Sequence, residues 1–158
     1  MIVLGIDPGT ATTGYGVVRS DGATPTLIEC GVLRTSPDTA LPFRLAEIFD
    51  GVSDLIARHK PDALAVEDAF YSKNVRTTLV LGHARGVILL AGARAGITIR
   101  EYAPALIKKT VVGTGGATKE QVQFMTGKLL RLKTPPSPAD AADGVAAALA
   151  CVIRREAQ

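Results

Sequence analysis

The chain has 158 residues, 47% apolar, 4% aromatic and 21% charged, with a formal net charge of +3. That length suits one domain, residues 1–158, around an aliphatic core; the ordinary charge fraction argues against disorder, and the mild basicity permits a nucleic-acid partner without requiring one. Cys30 and Cys151 form no CxxC pair, and His59 and His83 have no partner at metal-ligand spacing, which argues against a thiolate zinc site.

Ile2 to Ile6 reads as a buried strand ended by Asp7-Pro8-Gly9, where Pro and Gly force a turn. Gly14 to Arg19 and Thr26 to Thr35 read as further strands, with hairpin-like turns at Thr10-Ala11-Thr12 and Asp21-Gly22. From Leu41 to His59, the spacing of Leu45, Ile48, Phe49, Val52, Leu55 and Ile56 predicts a helix that Pro61 stops. Ala63 to Val66 is a short buried strand with Glu67 at its end. Beyond a polar loop, Asn74 can cap a helix from Val75 to about Ala95, followed by a strand at Thr98 to Tyr102. A helical turn covers Ala105 to Lys109. Thr118-Lys119-Glu120-Gln121 fits a capping box opening a helix to Leu132, and a last helix runs from Ala139 to about Arg155. Hairpin-linked strands followed by alternating helices and strands predict an α/β fold: a mixed five-stranded sheet flanked by helices.

No basic region precedes an apolar stretch at the N-terminus. The longest apolar run, Val87 to Ala93, is too short to cross a bilayer. A cytoplasmic protein with no membrane partner is the expectation.

Asp7 and Glu67 stand at strand ends, where ligand sites of open α/β sheets gather. On neighbouring strands they would repel each other without a cation between them. Asp140 and Asp143, three apart, share a helix face that Ala147 continues, so this helix can lie close to the sheet. Four carboxylates form an all-oxygen set suited to Mg²⁺ or Mn²⁺ rather than zinc. Two such ions can clamp the attacking and leaving oxygens of a phosphodiester.

Each acid also has a plainer reading. Asp7-Pro8-Gly9 can be a simple turn, Glu67-Asp68 a solvated loop start, and Asp140 a helix cap near Ser137 and Pro138. Asp143 resists this treatment: it sits in an apolar helix with no basic residue three or four positions away. Thr114-Gly115-Gly116 beside Lys119 either cradles phosphate or is a flexible loop. Lys73, Arg76, Lys108, Lys109 and Lys119 flank the acids in sequence order and would offset phosphate repulsion.

Several segments together carry a resemblance. Gly5-Ile6-Asp7-Pro8-Gly9-Thr10 with Gly14-Tyr15-Gly16, Val66-Glu67 with Phe70 and Lys73-Asn74, and Gly82-His83-Ala84-Arg85-Gly86-Val87 recur in order. So do Glu101-Tyr102, Lys108-Lys109-Thr110-Val111-Val112-Gly113, Lys119 and Ala139-Asp140-Ala141-Ala142-Asp143. Over nearly the whole chain the pattern resembles the RuvC family of bacterial Holliday-junction resolvases.

The resemblance implies a ribonuclease-H-like fold, a homodimer and Mg²⁺-dependent paired nicking of four-way junctions, leaving 5′-phosphate and 3′-hydroxyl ends. It implies two ions per site, with Mn²⁺ able to substitute, and a RuvA–RuvB branch-migration complex as partner. The family's catalytic and metal-binding acids fall on Asp7, Glu67, Asp140 and Asp143. Lys119 matches a catalytic lysine beside the scissile phosphate, and Lys108 a further basic residue. Phe70, Lys73 and Arg76 complete the expected DNA contacts. By pattern alone Phe70 folds back on the core; the resemblance makes it a wedge that stacks on a base at the branch point. The alternatives are a YqgF-type or other ribonuclease-H-like nuclease acting on different nucleic acids, and a non-catalytic junction-binding protein. An actin-like phosphotransferase would need a second domain.

Overall fold

The computed structural model describes residues 1–22, 24–68 and 73–155. β1 (Ile2–Asp7), β2 (Thr12–Arg19) and β3 (Thr26–Arg34) form an antiparallel meander. Helix α1 (Leu41–His59) returns the chain so that β4 (Ala63–Glu67) pairs parallel to β1. Helix α2 (Val75–Ala95) does the same for β5 (Thr98–Tyr102) beside β4. The sheet order is β3-β2-β1-β4-β5. Then follow α3 (Pro104–Val112), α4 (Lys119–Leu129) and α5 (Ala139–Arg154). The predicted mixed five-stranded sheet with flanking helices is present.

Alternation along the central strands divides the core in two. Leu4, Ile6, Val17, Leu64 and Val66 face α1 and α2, where they meet Ile48, Val52, Ala84 and Ile88. Val3, Val18, Ala63 and Ala65 face α5 and, beyond it, α3 and α4. α5 is thus covered on both sides, and almost every residue from Ala141 to Val152 is buried. Its alanines suit that confinement, because larger side chains would hold the helix away from the strands.

Glycine sets the closeness of that contact. A Cβ on Gly144 would come within 2.6 Å of the Tyr15 Cα, and one on Gly14 would run into the backbone carbonyl of Asp140. The first turn of α5 therefore rests on the backbone of β2. The sequence points to Ala147 as the close-packing residue; it is buried, but Gly144 makes the backbone approach.

Several boundaries differ from the sequence expectation. β2 starts two residues earlier, at Thr12. α3 extends past Lys109 to Val112, because Val111 is buried in the core and Gly113, at φ 104°, supplies the stop. β-branched Thr110, Val111 and Val112 discourage helix locally, but packing outweighs that preference. α4 stops at Leu129 rather than Leu132: Arg131 adopts φ 53° and the Leu132 N–H donates to the Gly127 carbonyl at 2.9 Å. That is the left-handed closure of a helix C-terminus, usually made by glycine. The Thr118–Gln121 capping box is present, with bonds of 2.9 and 3.2 Å.

Candidate active site

Strand alternation that buries Val3 and Ala63 on the α5 face carries Asp7 and Glu67 to the same face at the strands' carboxyl ends. Ile6 and Val66 are paired, so the two acids are the next neighbours across β1 and β4. Asp7 also pairs with Gly14 on β2, the glycine on which α5 rests, and this register brings Asp140 and Asp143 over Asp7. Carboxylate oxygens of Asp7, Asp140 and Asp143 all lie within 4.8 Å of one another. Asp7, Glu67 and Asp143 line a cleft of about 200 Å³ together with Lys108, Lys119 and the apolar Ile107, Val122 and Ala146. A larger depression, about 550 Å³, lies at the other end of β1 around Met1, Ser20 and Val152; none of the four acids lines it.

Asp140 is not needed as a cap. Pro138 occupies the N-cap position of α5, which has no side-chain capping bond, and the Asp140 carboxylate joins the cluster instead. Asp143, without a cation on its own helix, receives one from another: Lys119 Nζ donates to Asp143 Oδ2 at 3.0 Å. Lys119 occupies the first position of α4, so the Thr118 capping box fixes the backbone from which it reaches.

The electrostatics follow from burial. Asp7 is pushed from the ordinary 3.8 up to about 8, mainly by desolvation and then by Glu67 and Asp143. Glu67 rises to about 7, again chiefly by desolvation, with Asp143 adding to it. Hydrogen bonding to Asp143 raises Lys119, so its ammonium stays charged. Converging, partly desolvated carboxylates with oxygen-only donors match a hard divalent cation, and the observed donor set fits one. An acid whose folded pKa exceeds its unfolded value destabilises the fold as pH rises between the two. The metal-free protein should therefore lose thermal stability from about pH 4 towards pH 8, through the window set by Asp7. Mg²⁺ should reverse part of that loss, and more so at pH 8 than at pH 6, because binding requires ionised acids. Melting temperatures across pH with and without Mg²⁺ check this; a metal effect independent of pH would contradict it.

Other expected residues are placed less centrally. Lys73 and Arg76 are exposed at the start of α2, where Asn74 accepts the Thr77 N–H as predicted, but neither lines the cleft. Lys109 is exposed and also outside it. Phe70 lies outside the described residues. In the Thr114-Gly115-Gly116 loop, the Gly116 N–H is directed to Thr114 Oγ1 at 3.4 Å, which favours a self-bonded loop over a phosphate cradle.

Two clusters escaped the sequence reading. Arg85 on α2 joins Asp68, at 2.7 Å, and Glu101 on β5, tying down the residue that follows Glu67. On the α1 side, Glu29 accepts from Tyr15 Oη at 2.8 Å and from Arg58 at 3.0 Å, and pairs with His59 at 2.9 Å. Only Arg85, a charge bordering the apolar run Val87 to Ala93, gave a local hint.

A sheet of this order, with an antiparallel meander, two parallel strands and acids at the ends of β1 and β4 under a final helix, defines the ribonuclease-H-like class of nucleases. Residues 3–151 match the family described as Crossover junction endodeoxyribonuclease RuvC, and the chain belongs to that family. It is 50% identical over 149 residues to the RuvC of Desulforamulus reducens, covering 94% of this chain and 91% of that one. With the RuvC of Halorhodospira halophila it shares 48% over 155 residues, covering 98% and 92%. Among solved structures, Thermus thermophilus RuvC superimposes at a TM-score of 0.90 with 34% identity, over 99% of this chain and 96% of that chain. The same protein in complex with a Holliday junction substrate gives 0.90 and 32% over the same shares. The yeast mitochondrial resolvase Ydc2, 13% identical at a TM-score of 0.68 over 98% of this chain and 80% of that one, shares the fold.

Proposed function

We propose that this chain resolves four-way DNA junctions by paired, metal-dependent nicks leaving 5′-phosphate and 3′-hydroxyl ends. The observation that carries the reading is the convergence of Asp7, Asp140 and Asp143 within 4.8 Å, beside Glu67 in one cleft. Asp7, Glu67, Asp140 and Asp143 would hold two Mg²⁺ ions, for which Mn²⁺ can substitute. Bound there, the metal supplies Lewis acidity that polarises the phosphodiester and neutralises developing charge. The chain's own residues do the rest. Lys119 and Lys108 attract the scissile phosphate into the acid cleft. Ile107, Val122 and Ala146 form a dry wall behind it. Lys73 and Arg76 contact the backbone further out, and Phe70 stacks on a base at the branch point.

The test is cleavage of labelled four-way, three-way and linear DNA with and without Mg²⁺. Metal-dependent, symmetric nicks confined to the four-way substrate are expected. Equal cutting of linear duplex, or of RNA, would favour another ribonuclease-H-like activity, and binding without cutting a non-catalytic junction protein. In the same assay Phe70→Ala should cut intact junctions weakly and recover on junctions whose central bases are unpaired; no recovery would reject the wedge.

Two nicks on a two-fold symmetric junction call for two active sites, which a C₂ dimer supplies. Helix α2 offers the surface. Ala84, Ile88 and Ala91 face the core, whereas Val75, Leu79, Gly82, Gly86 and Leu90 share the opposite face. Val75, Leu79 and Leu90 are 74%, 61% and 50% exposed. A Cβ on Gly82 or Gly86 would meet nothing within 4 Å, so these glycines do not serve packing on the sheet. Light scattering at micromolar concentration should give twice the chain mass, and Gly82→Glu should give one; a monomeric parent would overturn the assembly. The protein is further proposed to be a single domain acting in the cytoplasm with a RuvA–RuvB complex. Among the described residues no helix is long and apolar enough to cross a membrane.

A further inference from the structure

The acid cleft accounts for one side of the sheet's carboxyl edge, and the β3 side of that edge carries cations it does not use. β3 ends at Arg34, whose register partner is Thr12 at the start of β2. α1 begins beside it with Arg44 in its first turn, where no acid is present. A cation in that position opposes the helix macrodipole, so the turn concentrates positive charge.

Arg44 is nevertheless held firmly. Its Nε donates to Thr35 Oγ1 at 2.9 Å, the Thr35 hydroxyl donates to the Thr10 carbonyl at 2.5 Å, and the Thr35 N–H donates to the Ala11 carbonyl at 3.1 Å. This chain of bonds fixes the guanidinium to the turn that leaves Asp7. Among the described residues neither Arg34 nor Arg44 forms an ion pair. An arginine serving only to staple α1 would need one donor. Arg44 uses Nε for that and keeps its charge and its two terminal nitrogens, the fork that matches phosphate.

We propose that Arg44, with Arg34 next to Thr35, binds backbone phosphates of the DNA arm that leaves the acid cleft on the β3 side. Thr10 is three residues from Asp7, and three residues span at most about 10 Å. Two hydrogen bonds, through the Thr35 hydroxyl, carry that reach on to Arg44, so the contact lies within a few nucleotides of the scissile bond. This assignment rests on the junction-nuclease reading and adds a contact to its DNA path outside the cleft that Lys108 and Lys119 line.

The test is junction binding by the full chain, followed by fluorescence anisotropy over a salt series without divalent metal. Each phosphate contact contributes about 0.9 to the slope of log K against log salt. Arg44→Ala should lower that slope by about 0.9, the double Arg34→Ala, Arg44→Ala by about 1.8, and Arg44→Lys should leave it near the parent value. Arg44→Gln keeps a donor for Thr35 and removes only the charge, so it should reproduce the loss with an unchanged melting temperature. An unchanged slope in Arg44→Gln overturns the proposal even if Arg44→Ala is unstable. Absence of salt-sensitive junction binding in the parent would instead remove the nuclease reading on which it stands.

Discussion

Asp143→Asn is expected to lower junction cleavage by roughly three orders of magnitude or more while junction binding persists. The estimate comes from the several kcal/mol that a correctly held metal contributes to a phosphoryl transition state, at 1.36 kcal/mol per factor of ten. Asn keeps the shape of the side chain, and Asp143 lies at the start of a buried helix that its amide would not disturb. What changes is charge. Asp143 faces Asp7, raises both Asp7 and Glu67, and receives the Lys119 ammonium at 3.0 Å. Neutralising it removes a metal ligand and leaves Lys119 without its carboxylate partner. It should also let Asp7 ionise at lower pH. Junction affinity without metal should hold or rise, since one negative charge beside the phosphate is gone. Cleavage within tenfold of the parent would remove Asp143 from the site. Asp140→Asn should behave alike, because its carboxylate lies in the same cluster and caps nothing.

Much of this arrangement was visible in the sequence where local chemistry decides. α1, α2 and β5 have the predicted bounds, Leu41–His59, Val75–Ala95 and Thr98–Tyr102, because Pro61, Asn74 and Gly96 punctuate them. Asp7 and Glu67 were legible for a similar reason: period-two alternation fixes which face a strand-end acid meets. The sequence left Asp140 open between cap and ligand, since the choice depends on how α5 sits on β2. The Lys119–Asp143 bond spans 24 residues and two helices, and no spacing rule reaches that far. Arg85 with Asp68 and Glu101 unites three elements in the same way. Tertiary packing likewise decided the length of α3, where burial of Val111 outweighed weak local propensity.

The dependence of the site on that packing can be isolated at Gly14. Its φ is ordinary, so alanine there meets no backbone penalty; the conflict is purely one of space. The new methyl would run into the Asp140 carbonyl and crowd the Ala141 amide at 3.1 Å, both backbone groups of α5 with no rotamer to yield. The helix start must then lift from β2. Overpacking of this kind costs about 1–3 kcal/mol, occasionally more. The loss in catalysis should exceed the loss in stability. Asp140 and Asp143 lie on the first turns of α5, whereas Ala146 to Val152 anchor the rest of that helix in the core. A tilt that leaves this anchor intact would still move the two aspartates away from Asp7, and misplacement by about 1 Å is enough to cost roughly a hundredfold in rate. Gly14→Ala should therefore melt a few degrees lower, remain folded, and require much more Mg²⁺ for half-maximal cleavage. Gly127→Ala, near the end of α4, serves as the comparison, because its methyl would make only ordinary contact with Pro135, at 3.5 Å. Equal Mg²⁺ requirements for Gly14→Ala and the parent would mean that α5 tolerates the methyl without moving its acids, and that Gly14 does not set the geometry of the site.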